Sequence, residues 1–102
     1  MANCKEELLA AAHAACYSMS FSGRLARNGT PPTSLTVGAT VTFDKVEAGW
    51  KVVSSALTVR GVVPGIDAAT FARLAEAAKD GCPISGALKG NVVLSVDATL
   101  DG

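Results

Sequence analysis

The sequence predicts an α+β domain with the element order helix, strand, strand, helix, helix, strand. Three patterns carry that expectation. A run rich in alanine and leucine has His13 as its only polar side chain between Leu8 and Ala15. Stretches 34–44 and 92–100 place apolar residues at every second position, and 50–62 is rich in β-branched and apolar residues between turn signals. Between the second and third of these, a Pro64-Gly65 break is followed by one helical stripe and then by a second helix-start signal at Cys82-Pro83.

The first helix is expected over 5–21. Alanine and leucine are strong helix formers, and Glu6 and Glu7 lie in the first turn, where the positive end of the helix dipole favours them. Gly23 and then Asn28-Gly29-Thr30-Pro31-Pro32 close it. In 34–44, Leu35, Val37, Ala39, Val41 and Phe43 share one face, and Thr36, Gly38, Thr40 and Thr42 the other, so this is a half-buried strand. Ala48-Gly49 turns the chain into a second strand over 50–62, with Val53, Leu57 and Val59 inward, and the two strands form an antiparallel hairpin. Asp67 caps a helix over 68–79, whose Phe71, Leu74, Ala75 and Ala78 form one stripe, and Gly81 ends it. Cys82 and Pro83 suit the N-cap and first position of a short helix through Ala87, since proline lacks an amide hydrogen that the first turn leaves unpaired anyway. Val92, Leu94, Val96, Ala98 and Leu100 mark the last strand.

The run from Leu8 to Cys16 is apolar almost all round and must be surrounded. Three strands cover one side of it only, so the sequence predicts a homodimer with the first helix near the interface. The 102 residues match a single domain. Nine basic and nine acidic residues, with no run of either sign, exclude nucleic acid and an anionic membrane surface as partners. No stretch approaches the roughly 18–20 apolar residues of a membrane span. The same run imitates a signal-peptide centre, but Lys5, Glu6, Glu7 and His13 give the wrong flank and interior, and a cytoplasmic protein is expected.

Three cysteines are an odd count, against a closed disulfide framework. The spacing of Cys4, His13 and Cys16 matches no common zinc pattern, and no metal site is expected. Reactivity of a thiol depends on what lowers its pKa. Cys82 has a helix N-terminus, whereas Cys16, in the second half of its helix, needs a cation or donor from elsewhere; His13 lies three residues before it on nearly the same face. Local sequence alone favours Cys16 as a small core residue and His13 as a hydrogen-bonded core histidine, and allows Cys82 as a simple cap. Cys4 reads as incidental, Tyr17 and Trp50 as packing residues, and Met19 and Phe21 as core or the lining of an apolar pocket.

Glu6-Glu7-Leu8-Leu9-Ala10-Ala11-Ala12-His13-Ala14-Ala15-Cys16-Tyr17-Ser18-Met19, then Leu57-Thr58-Val59-Arg60-Gly61, then Cys82-Pro83-Ile84-Ser85-Gly86-Ala87-Leu88 closely resemble the OsmC/Ohr family of organic hydroperoxide reductases, across essentially the whole chain. The His-Ala-Ala-Cys form is similar to the OsmC branch. The resemblance implies an antiparallel sheet with a buried central helix in an intertwined dimer. It implies a peroxidase that uses no metal, haem or other cofactor. Cys16 matches the peroxidatic cysteine, Cys82 the resolving cysteine that joins it in a disulfide, and Glu6 the active-site glutamate that orients an arginine. An organic hydroperoxide is the implied substrate and a lipoyl-type dithiol the implied reductant. Family members usually carry N-terminal strands that supply the arginine; the chain is expected to be one OsmC-like domain over 1–102 without them, and Arg24 is the one arginine near enough in sequence to stand in. Ten residues, about 15 Å of helix rise, separate Glu6 from Cys16, so Glu6 either folds back on a turn or serves the partner's site. Without the arginine, two other classes stay open: a catalytically weak redox-responsive or small-ligand-binding protein, and a protein whose thiols are structural.

Overall fold

The structure, a computed structural model, describes residues 4–46 and 49–101; side chains at 4–6, 46 and 50 lie outside the description, as does the expectation for Trp50. The elements are α1 (Cys4–Arg27), β1 (Ser34–Val46), β2 (Gly49–Val62), α2 (Ala68–Gly81), α3 (Pro83–Leu88) and β3 (Val93–Leu100), in the expected order.

α1 runs past its expected end at Phe21, through Gly23, to Arg27. A mid-helix glycine costs only about 1 kcal/mol, and the buried stripe outweighs it: His13, Tyr17, Phe21 and Leu25, each one turn after the last, all have zero exposure. The helix stops where a Schellman motif forms, with the Thr30 amide donating to the Leu25 carbonyl and the Gly29 amide to that of Ala26. Gly29 supplies the required positive φ of 85°.

The sheet order is β1-β2-β3. β1 and β2 form the expected antiparallel hairpin from Ser34↔Val62 to Val46↔Gly49, with a bulge at Thr42/Phe43 that leaves Val53 as the extra residue. β3 instead joins β2 in parallel, from Ser54↔Val93 to Gly61↔Leu100, so the sheet is mixed and not antiparallel throughout. The reason is the connection. β2 and β3 are separated by two helices that carry the chain back along the sheet, and such a crossover returns a strand in the same direction.

α1 and α2 cover one face of the sheet, and α3 packs against both helices. Leu57 and Val59 of β2 meet Phe21 and Leu25 of α1 and Phe71, Ala75 and Ala78 of α2 in a single core, while Thr36, Thr40, Thr58 and Arg60 stay exposed on the other face. Phe21 packs against Phe71 at 5.1 Å between ring centroids, tilted by 58°. The Tyr17 hydroxyl donates to the Ala75 carbonyl at 2.8 Å and the Ser20 hydroxyl to that of Ala78 at 3.0 Å, which fixes α1 against α2. Within one chain the other side of α1 is uncovered: Leu8 is 67% and Met19 77% exposed. No helix among the described residues is long and apolar enough to cross a membrane.

Candidate active site

Two of the three expected site residues meet. Cys16 projects from the middle of α1, Cys82 stands between α2 and α3, and their unbonded sulfurs are 3.0 Å apart although 66 positions separate them in sequence. Local sequence puts Cys82 there. Its extended backbone (φ −81°, ψ 123°) ends α2 and caps α3, and Pro83 takes the first helical position. The third residue, Glu6, has its side chain outside the described residues; its backbone is helical within α1, so it does not lie on a turn that folds back toward Cys16.

The two sulfurs are not equivalent. Cys82 is 1% exposed. Burial alone would raise its pKa, but donors overcome it: the Ser85 amide, the Cys16 thiol, the Ser85 hydroxyl and the Ile84 amide together hold the Cys82 thiol below its ordinary value. None of these is a strict N-cap bond; they act on the charged sulfur as neighbouring dipoles at the start of α3. The Cys16 thiol is pushed up, first by burial and then by its bond to Cys82, and the Ile84 amide opposes this only in part. Cys82 therefore ionises first, and Cys16 shares its proton with it.

Cys16 is the sulfur that a solute can reach. It is half-buried and lines an open cleft of about 370 Å³ together with Met19, Ser20, Gly23, Arg24, Arg27, Gly81 and Pro83. Met19 thus lines a pocket and Phe21 belongs to the core. The Arg24 Nε is buried without a hydrogen-bond partner among the described residues. Its guanidinium lies over Gly81, where a Cβ would come within 2.8 Å of Nη2. Arg27 was missed in the sequence, although 16, 20, 23, 24 and 27 fall on one helical face.

His13 faces away from this cleft. It has zero exposure, its Nδ1 lies 2.7 Å from the Ser55 hydroxyl and its Nε2 2.7 Å from the Ser85 hydroxyl, and burial lowers its pKa. The two serines were missed in the sequence, though Ser55 shares the inward parity of Val53, Leu57 and Val59 and so had to be buried with a partner. Among the described residues no group of three or more His, Cys, Asp or Glu is placed to hold a metal.

Known proteins share this arrangement of elements. The family model of OsmC-like proteins matches residues 6–97. The chain is 48% identical over 89 residues to peroxiredoxin OsmC of Escherichia coli K12, covering 87% of this chain and 62% of that protein. The chain therefore spans under two thirds of that relative's length. Among solved structures, the organic hydroperoxide resistance protein OhrB of Bacillus subtilis superposes with a TM-score of 0.80 at 26% identity, over 92% of this chain and 68% of that one. An organic hydroperoxide resistance protein of Elizabethkingia anophelis, with thiocyanate bound, does so at 0.83 and 24% identity, over 95% and 68%, which shows the fold. With a family model matched over residues 6–97 and a relative 48% identical over 89 residues, this chain, which pairs its dithiol where α1 meets the start of α3, belongs to the OsmC-like protein family.

Proposed function

We propose that the protein is a thiol-dependent peroxidase that reduces organic hydroperoxides to alcohols through a Cys16 sulfenic acid and a Cys16–Cys82 disulfide. The observation that carries this is the dithiol itself: one sulfur opens into a cleft, the other is buried 3.0 Å behind it and held toward thiolate. The proton shared by the pair passes to Cys82 as the Cys16 thiolate attacks the distal oxygen of ROOH. The O–O bond breaks, Cys16 becomes a sulfenic acid, and the leaving alkoxide takes the proton from Cys82. The Cys82 thiolate then attacks the Cys16 sulfur, a disulfide forms, and the hydroxide that leaves takes a proton from solvent to become water. The Arg24 and Arg27 guanidiniums face the alkoxide as its charge develops, and Met19 and Pro83 favour an organic over a hydrogen peroxide substrate.

The remaining parts of the proposal follow the family. A lipoyl-type dithiol reduces the disulfide, and the protein works in the cytoplasm as a homodimer. The uncovered side of α1, with Leu8 and Met19 exposed, supports a second copy there. Glu6 and Cys16 occupy one helix ten residues apart, about 15 Å, which supports service of Glu6 to the partner's site. The chain is taken as one domain over 1–102.

A second reading has its own observation: burial and Cys82 push the Cys16 thiol up, which suits a slow, redox-responsive protein. One experiment separates the two. Intact-mass analysis after one equivalent of cumene hydroperoxide, run beside turnover with dihydrolipoamide, shows loss of two hydrogen masses and Cys16-dependent turnover for a peroxidase. A folded protein that forms the disulfide only over hours and does not turn over is the slow sensor; no Cys16–Cys82 linkage sinks both.

A further inference from the structure

The peroxidase scheme leaves one buried polar chain unused. Ser55 of β2, His13 of α1 and Ser85 of α3 are joined by two 2.7 Å hydrogen bonds, and every member has at most 1% exposure. The chain does not stop at Ser85: Cys82 is the N-cap of α3 and Ser85 follows it by three residues, which makes their side chains neighbours, and the Ser85 hydroxyl is among the groups that hold the Cys82 thiol low. A serine has one hydroxyl proton. If Ser85 spends it on the sulfur, its oxygen must accept from His13, so Nε2 carries the imidazole hydrogen. Nδ1 is then the acceptor and takes the Ser55 proton. Every donor in the chain points toward Cys82.

The geometry points to Ser55, His13 and Ser85 as a polarised hydrogen-bond relay that holds Cys82 as the thiolate which attacks oxidised Cys16, with His13 a positioning residue acting through Ser85. This rests on Cys82 being the resolving cysteine. The relay also has an off state. Once Cys82 is in a disulfide its sulfur is uncharged and a weak acceptor, so the Ser85 hydroxyl is free to turn to Nε2 and the imidazole hydrogen to move to Nδ1. The order of the chain is thus tied to the redox state of the sulfur at its end, with no net proton gained or lost within it.

Other charged and titratable groups surround Cys82, and none of them belongs to the relay. α1 presents Cys16, Tyr17 and Arg24, the last lying over Gly81; Tyr17 stays a neutral phenol because burial raises its pKa. On α2, Glu76 acts on Tyr17 and is paired with Lys79 at 3.0 Å. Substitutions at 13, 55 and 85 leave all of these in place, so the relay can be tested separately.

The test measures the Cys82 thiolate by its absorbance near 240 nm as a function of pH in a Cys4→Ser/Cys16→Ser background, where no peroxidase step operates. Ser85→Ala and His13→Leu each should reduce the thiolate about tenfold at a fixed pH below the midpoint, the worth of one charge-assisted hydrogen bond. The double variant should lose no more than Ser85→Ala, because His13 acts through Ser85. His13→Gln, whose amide replaces the Nε2 donor, should restore most of the loss. His13 is the only histidine, so its two ring nitrogen resonances report the tautomer directly: hydrogen on Nε2 in the reduced protein. A folded His13→Leu with an unchanged Cys82 titration, or losses that add in the double variant, would overturn the relay. Where His13→Leu does not fold, Ser55→Ala decides: a smaller shift in the same direction supports the relay, and no shift overturns it. Failure of the peroxidase assay with an intact relay titration would count against the proposed function alone.

Discussion

Acid should destabilise this protein earlier than its carboxylates explain, through His13. The imidazole has zero exposure and burial lowers its pKa from 6.5. Above pH 6.5 the ring is neutral in folded and unfolded chains alike, and its contribution to stability is fully present and flat. Below that value the unfolded chain binds a proton that the folded chain refuses. Stability then falls by up to about 1.4 kcal/mol per pH unit until the folded pKa is reached, below which both states are protonated and the loss is complete. With a urea dependence of about 1–3 kcal/mol/M for a domain of this size, the unfolding midpoint should drop by roughly 0.5–1.4 M per unit. Asp67, lowered chiefly by its bond with the Thr70 hydroxyl, has a contribution that is present above 3.8 and is lost only as pH falls further. The assay is urea unfolding, followed by circular dichroism, at pH 8, 7, 6, 5.5 and 5 on the parent and on His13→Gln, which keeps a donor and an acceptor but cannot titrate. The parent should lose ground against the variant only below about pH 6.5. Parallel curves for the two proteins would refute the reasoning, since the buried imidazole would then titrate as it does in the unfolded chain.

Gly61→Ala should cost about 1–3 kcal/mol in chemical denaturation, because its Cβ would come within 2.8 Å of Leu35 Cδ2 and 3.0 Å of the Phe71 ring, which is itself held against Phe21. Arg24→Ala should lower kcat/KM for cumene hydroperoxide about tenfold, the worth of one charge-assisted hydrogen bond to the alkoxide, with the Cys82 titration unmoved; unchanged kinetics would remove Arg24 from the site. Tyr17→Phe, which loses the bond to the Ala75 carbonyl, should cost about 1 kcal/mol in the same unfolding assay. Cys82→Ala removes both the hydrogen bond and the charge that raise Cys16, so Cys16 should titrate at lower pH by absorbance and stall as sulfenic acid after peroxide, trapped by dimedone.

Local periodicity was enough to read every element in its order, because each buried face repeats on its own element: the stripe 13, 17, 21 and 25 on α1, the odd positions of β1 and β2, and 71, 75 and 78 on α2. The errors came where a distant contact decides. Gly23 reads as a helix end until Leu25, fully buried in the core, is known to hold the next turn in place. The direction of β3 is invisible in its own eight residues and is set by the two helices before it. Within the site, residue type singled out Cys16 and Cys82, and the start of α3 accounted for the lower pKa of Cys82. Ser85 carries no signal, and Ser55 only that of its inward parity, until His13 brings β2 and α3 to one point.

The approach of Cys16 to Cys82 also bears on the reductive half of the proposed cycle. The fold holds two sulfurs, 66 positions apart in the chain, at 3.0 Å, which corresponds to a local concentration far above any that a free thiol reaches in solution. A monothiol that opens the Cys16–Cys82 bond leaves the displaced partner beside the mixed disulfide, and that partner expels it before a second monothiol arrives. A reductant with two linked thiols competes on equal terms, because its own second sulfur is just as near. In the proposed cycle, selectivity for a dithiol donor therefore needs no docking surface; it is a kinetic property of the sulfur pair.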